Sequence, residues 1–124
     1  MSYNAYTKSV RTVETPSETD AFVLEQAAYK LSQLKTDQTD WNDVLQYNMK
    51  VWTVLQAFML GEESHHLPIE IRNNIFNLSR FVDKRTFALL GQLKSERDTT
   101  MLDVLININT NIALGLRGNP GVGG

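Results

Sequence analysis

Four long stretches of this chain repeat apolar residues every three or four positions, and proline and glycine fall almost only between them. That spacing lines apolar side chains along one side of a helix. The clearest stretch begins at Trp41, where Trp41, Val44, Leu45, Asn48, Trp52, Leu55 and Met59 lie within one stripe. Nothing alternates convincingly with the period of a strand. Leu105 to Ile112 does alternate, but the helical pattern extends further in both directions and wins on length. An all-α chain is the expectation.

The breaks sharpen the boundaries. Tyr3, Tyr6, Val10 and Val13 share one face of a short first helix. Thr15-Pro-Ser-Glu18 is a start signal, with a capping threonine, a proline suited to the first helical position and a glutamate that completes a capping box. The second helix is expected to run to about Lys35, burying Val23, Leu24, Ala27, Leu31 and Leu34. A polar link, Thr36 to Asp40, leads to the third helix, which Gly61 ends. Pro68 opens the fourth, aligning Ile71, Ile75, Leu78, Val82, Leu89 and Leu93. Ser95 to Thr100 forms a break, and the fifth helix places Leu102, Leu105, Ile106, Asn109, Ile112, Ala113 and Leu116 on one side. The expected fold is an antiparallel bundle of about four long helices, with the short N-terminal helix packed across it. Residues 1–117 form a single helical domain, and the glycine-rich residues 118–124 a flexible tail.

Composition narrows the function. With 124 residues and 42% hydrophobic content the chain can bury one modest core. A formal net charge of −2 argues against a dedicated nucleic-acid binder, which needs a basic surface. The chain has no cysteine, so disulfides, thiolate metal sites and cysteine nucleophiles are excluded. No apolar run approaches the roughly 20 residues that span a bilayer. The start, Met1-Ser-Tyr-Asn-Ala-Tyr-Thr-Lys8, lacks the basic and apolar regions of a secretory signal, so a cytoplasmic protein is expected.

Two asparagines interrupt the buried stripes, Asn48 four residues before Trp52 and Asn109 on the fifth helix. A buried amide left without partners costs roughly 1–3 kcal/mol. Asn48 and Asn109 are therefore expected to satisfy each other or nearby backbone and to set helix register beside Trp52. Arg85 also falls on the expected buried side of its helix, where its charge needs a carboxylate, carbonyls or the domain edge.

Several short patterns together resemble the FlaF family of flagellar biosynthesis regulators. They are Ala5-Tyr6 and Thr15-Pro-Ser-Glu-Thr19; then Asn48, Val51, Trp52 and Leu55; then Leu67-Pro68, Arg72, Ile75, Leu78-Ser79 and Phe81-Val82; and finally Leu105-Ile-Asn-Ile-Asn109, Ile112, Gly115 and Leu116. Each piece is largely a helix face, but their order and spacing are fairly specific. Arg85 departs from the pattern, standing where a histidine would be expected after the phenylalanine–valine pair. The resemblance implies a cytoplasmic factor in flagellum biosynthesis and motility that engages flagellin and acts alongside FlbT, a regulator of flagellin messenger RNA translation.

Aromatic residues off the main stripes are the candidate partner contacts. Phe76, Phe87 and Leu90 form a second ridge on the fourth helix, and Phe22 and Tyr29 do the same on the second. Helices apolar on two sides are central in a domain or await a partner. A flagellin terminal segment, itself resembling an amphipathic helix, would fit such a ridge with anchors about one turn apart. The alternative is a post-transcriptional adaptor that controls flagellin messenger RNA through RNA or an FlbT-type partner. Arg72, Arg80 and Lys84 make a basic line at helical spacing, but Glu70 and Asp83 dilute it and no stacking aromatics accompany it, so a solvated face is favoured. A structural dimerisation module through Phe76 and Phe87 is a third reading, within an expected monomer or weak dimer. His65 and His66, beside Glu62 and Glu63, are adjacent histidines that point apart in a loop and do not build a closed metal site. No nucleophile is paired with a base, so neither catalysis nor a cofactor is expected.

Overall fold

A computed structural model describes residues 16–62, 65 and 67–118. Among them are four α-helices: α1 (Pro16–Gln33), α2 (Trp41–Met59), α3 (Ile69–Leu90) and α4 (Thr99–Leu116), with a 3-10 turn at Lys94–Glu96 before α4. These are the second to fifth helices of the sequence. The expected first helix, Tyr3 to Val13, and most of the glycine tail lie outside the described residues.

The boundaries follow local chemistry. α1 begins at Pro16 and ends two residues before Lys35. Between α1 and α2, Asp37 accepts from the backbone N–H and hydroxyl of Thr39, at 3.0 and 2.7 Å. Those hydrogen bonds, the side-chain one foremost, hold its carboxyl below the usual range. Pro68 stands one residue ahead of α3, and Gly91 caps its end. Asp98 caps α4 by accepting from Thr100 N–H at 2.9 Å, so the helix starts inside the stretch expected as a break.

Each helix packs on its neighbours in sequence, and α1 closes the ring against α4. Directions are read from specific pairs. Lys35 Nζ lies 2.6 Å from Asp103 and Arg117 2.7 Å from Glu25, which runs α4 antiparallel to α1. Trp41 Nε1, at the start of α2, donates to the Leu89 carbonyl at the end of α3 at 3.3 Å. The arrangement is an antiparallel four-helix bundle.

Ala21, Leu24, Leu31, Leu45, Trp52, Ile75, Val82, Leu102 and Leu105 form the centre of the core. Gly115 on α4 faces Ile71 of α3, whose Cδ1 would lie 3.4 Å from a Cβ placed there, about van der Waals contact. Trp41 seals the lower end of the bundle, with the Arg97 guanidinium 4.7 Å above its ring.

Two expectations about α3 are corrected. Its buried stripe is Ile75, Ser79, Val82, Thr86 and Leu89, and Arg85 is exposed beside it. The guanidinium of Arg85 rests over the Phe81 ring at 5.2 Å, which shelters it without a buried ion pair. Two small polar residues, Ser79 and Thr86, occupy buried positions that an apolar-only count passes over. Leu93 is 66% exposed, because α3 stops at Leu90 and no longer directs it inward.

Candidate partner-binding site

The polar centre of the bundle fixes the helices that frame the surface. Trp52 Nε1 donates to Asn109 Oδ1 at 2.8 Å. Asn109 Nδ2 donates to Asn48 Oδ1 at 2.7 Å and to the Leu24 carbonyl at 3.3 Å. Both asparagines and Trp52 are fully buried. An indole N–H can only donate, so Trp52 dictates which side of the Asn109 amide faces it. That choice turns Asn109 Nδ2 toward α1 and α2, and Asn48 must then present its oxygen. The Asn48 Nδ2 has no hydrogen-bond partner among the described residues. The knot joins α1, α2 and α4 in one register, and it lies beneath the face where α1 meets α2.

On that face lies an open groove of about 580 Å³. Its walls are Thr19, Asp20, Val23 and Leu24 from α1, and Tyr47, Lys50, Val51, Val54 and Leu55 from α2. The lining is overwhelmingly apolar, and part of it is in water: Val54 is 57% exposed and Tyr47 38%. Asp20 and Lys50 are the charged groups of the lining, and Lys30 stands beside Tyr47. Asp20 is half-buried, and burial pushes its carboxyl up to about 6. Lys30 lies 5.6 Å from the Tyr47 ring centroid and borders the same face.

The groove exists because α2 carries two apolar ridges. Trp41, Leu45, Asn48, Trp52, Leu55 and Met59 go to the core. Val44, Tyr47, Val51, Val54 and Phe58 recur three and four residues apart on the adjoining side, none of them fully buried. α1 covers only part of that second ridge. The signal was present in the sequence, but it sits beside the main stripe and reads as its widening.

The expected contact residues fare unequally. Phe76 and Leu90 are half-buried and pack against the core, so the ridge on α3 is not free along its length. Phe87 is 64% exposed, and with Leu90 it borders a shallower depression of about 470 Å³ that Gln46, Met49, Lys50 and Thr53 complete. Tyr29 is 61% exposed, its hydroxyl accepting from Gln33 Nε2 at 3.0 Å. Phe22 is half-buried on α1 and lies outside the groove lining. The structure therefore joins Phe87 and Leu90 and leaves Phe22, Tyr29 and Phe76 apart from them.

Arg80, Lys84 and Arg85 are exposed on α3, while Arg72 is half-buried. His65 is exposed, and His66 lies outside the described residues. Among the described residues no three histidine, aspartate or glutamate side chains are grouped to hold a metal ion, and no helix is long and apolar enough to cross a membrane.

A family model described as flagellar protein FlaF matches residues 2–116 of the chain. No curated protein and no solved structure matches it.

Proposed function

The chain belongs to the FlaF family of flagellar proteins, and from that premise we propose that it is a cytoplasmic flagellin-binding chaperone that supports flagellin synthesis and export. The observation that carries this reading is the apolar groove between α1 and α2, with Val54 and Tyr47 held partly in water by a rigid bundle. An exposed apolar groove between helices accepts the apolar face of an amphipathic helix, with anchors at about one-turn spacing. A flagellin terminal helix is such a ligand. Docked there, its polymerising face is hidden from other flagellins and from aggregation. Ordering that helix on binding costs part of the interaction energy, which keeps the complex releasable for export.

Size-exclusion chromatography with light scattering, on the chain mixed with its cognate monomeric flagellin, tests the reading. A complex that persists in high salt is expected, because apolar burial is little screened. Val54→Asp is expected to weaken it at least tenfold while leaving the thermal midpoint unchanged, since Val54 is mostly exposed. No complex at micromolar concentrations would sink the chaperone reading.

One observation favours a second reading, regulation of flagellin messenger RNA through RNA or an FlbT-type partner. Arg80, Lys84 and Arg85 stand exposed together on α3. RNA held there would dissociate steeply with salt and on Arg80→Ala. Flagellin in the groove would do neither.

A further inference from the structure

The α1/α2 groove is charged unevenly along its length. Asp20 stands near the upper end, early in α1. Lys30 lies ten residues further along the same helix, about 15 Å toward the lower end. There it sits 5.6 Å from the Tyr47 ring, and Lys50 follows Tyr47 within one turn of α2. The acid is thus at one end and both lysines are toward the other. We propose that this polarity selects the partner: the groove takes one amphipathic helix whose apolar stripe carries basic residues at one end and acidic residues at the other. This rests on the groove being a helix site, as read above, but not on flagellin being the source of the helix.

Three observations support it. None of the three charges is neutralised by an ion pair among the described residues. The salt bridges there are Lys35–Asp103 and Arg117–Glu25, both between α1 and α4 or its end, away from the groove. The second observation is the setting of Asp20. It is half-buried in an overwhelmingly apolar lining, and burial raises its carboxyl only to about 6, so at neutral pH it is ionised. An apolar residue laid over it would strip its remaining water and leave the charge uncompensated, whereas a lysine or arginine there offsets the loss.

The third is the floor. Val23, Val51 and Val54 offer apolar area that is blind to the direction of a docked helix. Direction must come from the charges, because complementary pairs fix register and like charges repel. A helix entering reversed would set its acidic end on Asp20 and its basic end on Lys30 and Lys50. The depression beside Phe87 has no such polarity, with Lys50 the one charged residue of its lining.

Synthetic helices replace flagellin in the test. Two fluorescein-labelled peptides share a leucine stripe, a hydrocarbon staple that makes both helical, and equal numbers of lysines and glutamates flanking the stripe. One carries the lysines in one half and the glutamates in the other, and the second alternates them. Fluorescence anisotropy with the full chain at low salt is expected to show the segregated peptide binding at least fivefold tighter. The gap is expected to close in molar salt, where the screening length falls to about 3 Å. It is also expected to vanish for the full chain carrying Asp20→Asn, Lys30→Gln and Lys50→Gln, whose apolar floor is intact. Lys50→Gln alone, at an exposed position, is expected to narrow it. Equal affinities for the unaltered chain overturn the proposal, and so does a gap that survives all three substitutions. Failure of both peptides to bind overturns it together with the groove as a helix site. If the segregated peptide is preferred and cognate flagellin does not bind, the charge polarity stands and the chaperone reading falls.

Discussion

The indole N–H of Trp52 lies 2.8 Å from the side-chain oxygen of Asn109, linking helices on opposite sides of the bundle. Everything else in the polar knot takes its orientation from that donor. Asn109 makes three hydrogen bonds, whereas Asn48 accepts one and leaves its own amide N–H group unpaired among the described residues. The two amides are therefore unequal in what they contribute.

Asn109→Ala strands the Trp52 donor and the Asn48 acceptor in a dry interior, and is expected to cost about 3 kcal/mol. Asn48→Ala removes one acceptor and also one orphaned donor, and Asn109 keeps the Leu24 carbonyl. Its expected cost is nearer 1 kcal/mol by the same reasoning. Urea denaturation of both variants checks the order. Equal costs would show that the orientation set by Trp52 does not govern the knot.

Phe76 and Phe87 lie on the same side of α3 but in different surroundings. Phe76 packs against the core, and Phe87 is 64% exposed. Phe76→Ala is expected to cost about 2–3 kcal/mol of stability through lost burial, short of a fully buried phenylalanine. Phe87→Ala is expected to stay within about 0.5 kcal/mol. Thermal unfolding separates them. Any loss of partner binding on Phe87→Ala at unchanged stability would assign a second contact to the α2/α3 depression.

The bundle was legible because its helices announce themselves by period, and the buried asparagines because each interrupts a stripe. Val54 was not legible, since period 3.6 identifies faces and not what covers them. Its ridge on α2 adjoins the core stripe, and only the position of α1 decides how much of it is left in water. Phe76 failed in the opposite direction: it lies off the main stripe of α3, yet the curvature of packing around the core reaches it. Arg85 was misplaced by the same limit, because the stripe of α3 runs through Ser79 and Thr86 and an apolar count skips both.

Thr86 makes that stripe imperfect. It is fully buried, and its hydroxyl has no hydrogen-bond partner among the described residues. Valine has nearly the same shape and the same branching at Cβ, so the exchange removes an unsatisfied polar group without opening a cavity. Thr86→Val is expected to stabilise the chain by about 1 kcal/mol, raising the thermal midpoint by several degrees. A lower midpoint would show that the hydroxyl is bonded in solution.

Asp20 gives the groove a pH signature. Burial raises its carboxyl from 3.8 to about 6 in the folded chain, while the unfolded chain keeps the ordinary value. The folded state therefore binds a proton more tightly than the unfolded state does. Below about pH 4 both states are protonated and Asp20 costs nothing. As pH rises toward 6 the unfolded chain releases its proton first, and stability falls through that window. Above it the ionised, half-buried carboxylate is a constant penalty, on the order of 1 kcal/mol because water still reaches part of it. Asp20→Asn removes the titration, so the variant is expected to be more stable than the parent at pH 7 and equal to it below pH 4. Denaturation midpoints taken across that range check both limbs. A parent and variant that differ equally at all pH values would mean that Asp20 is solvated in the folded chain and the groove is wetter at its α1 end than its lining implies.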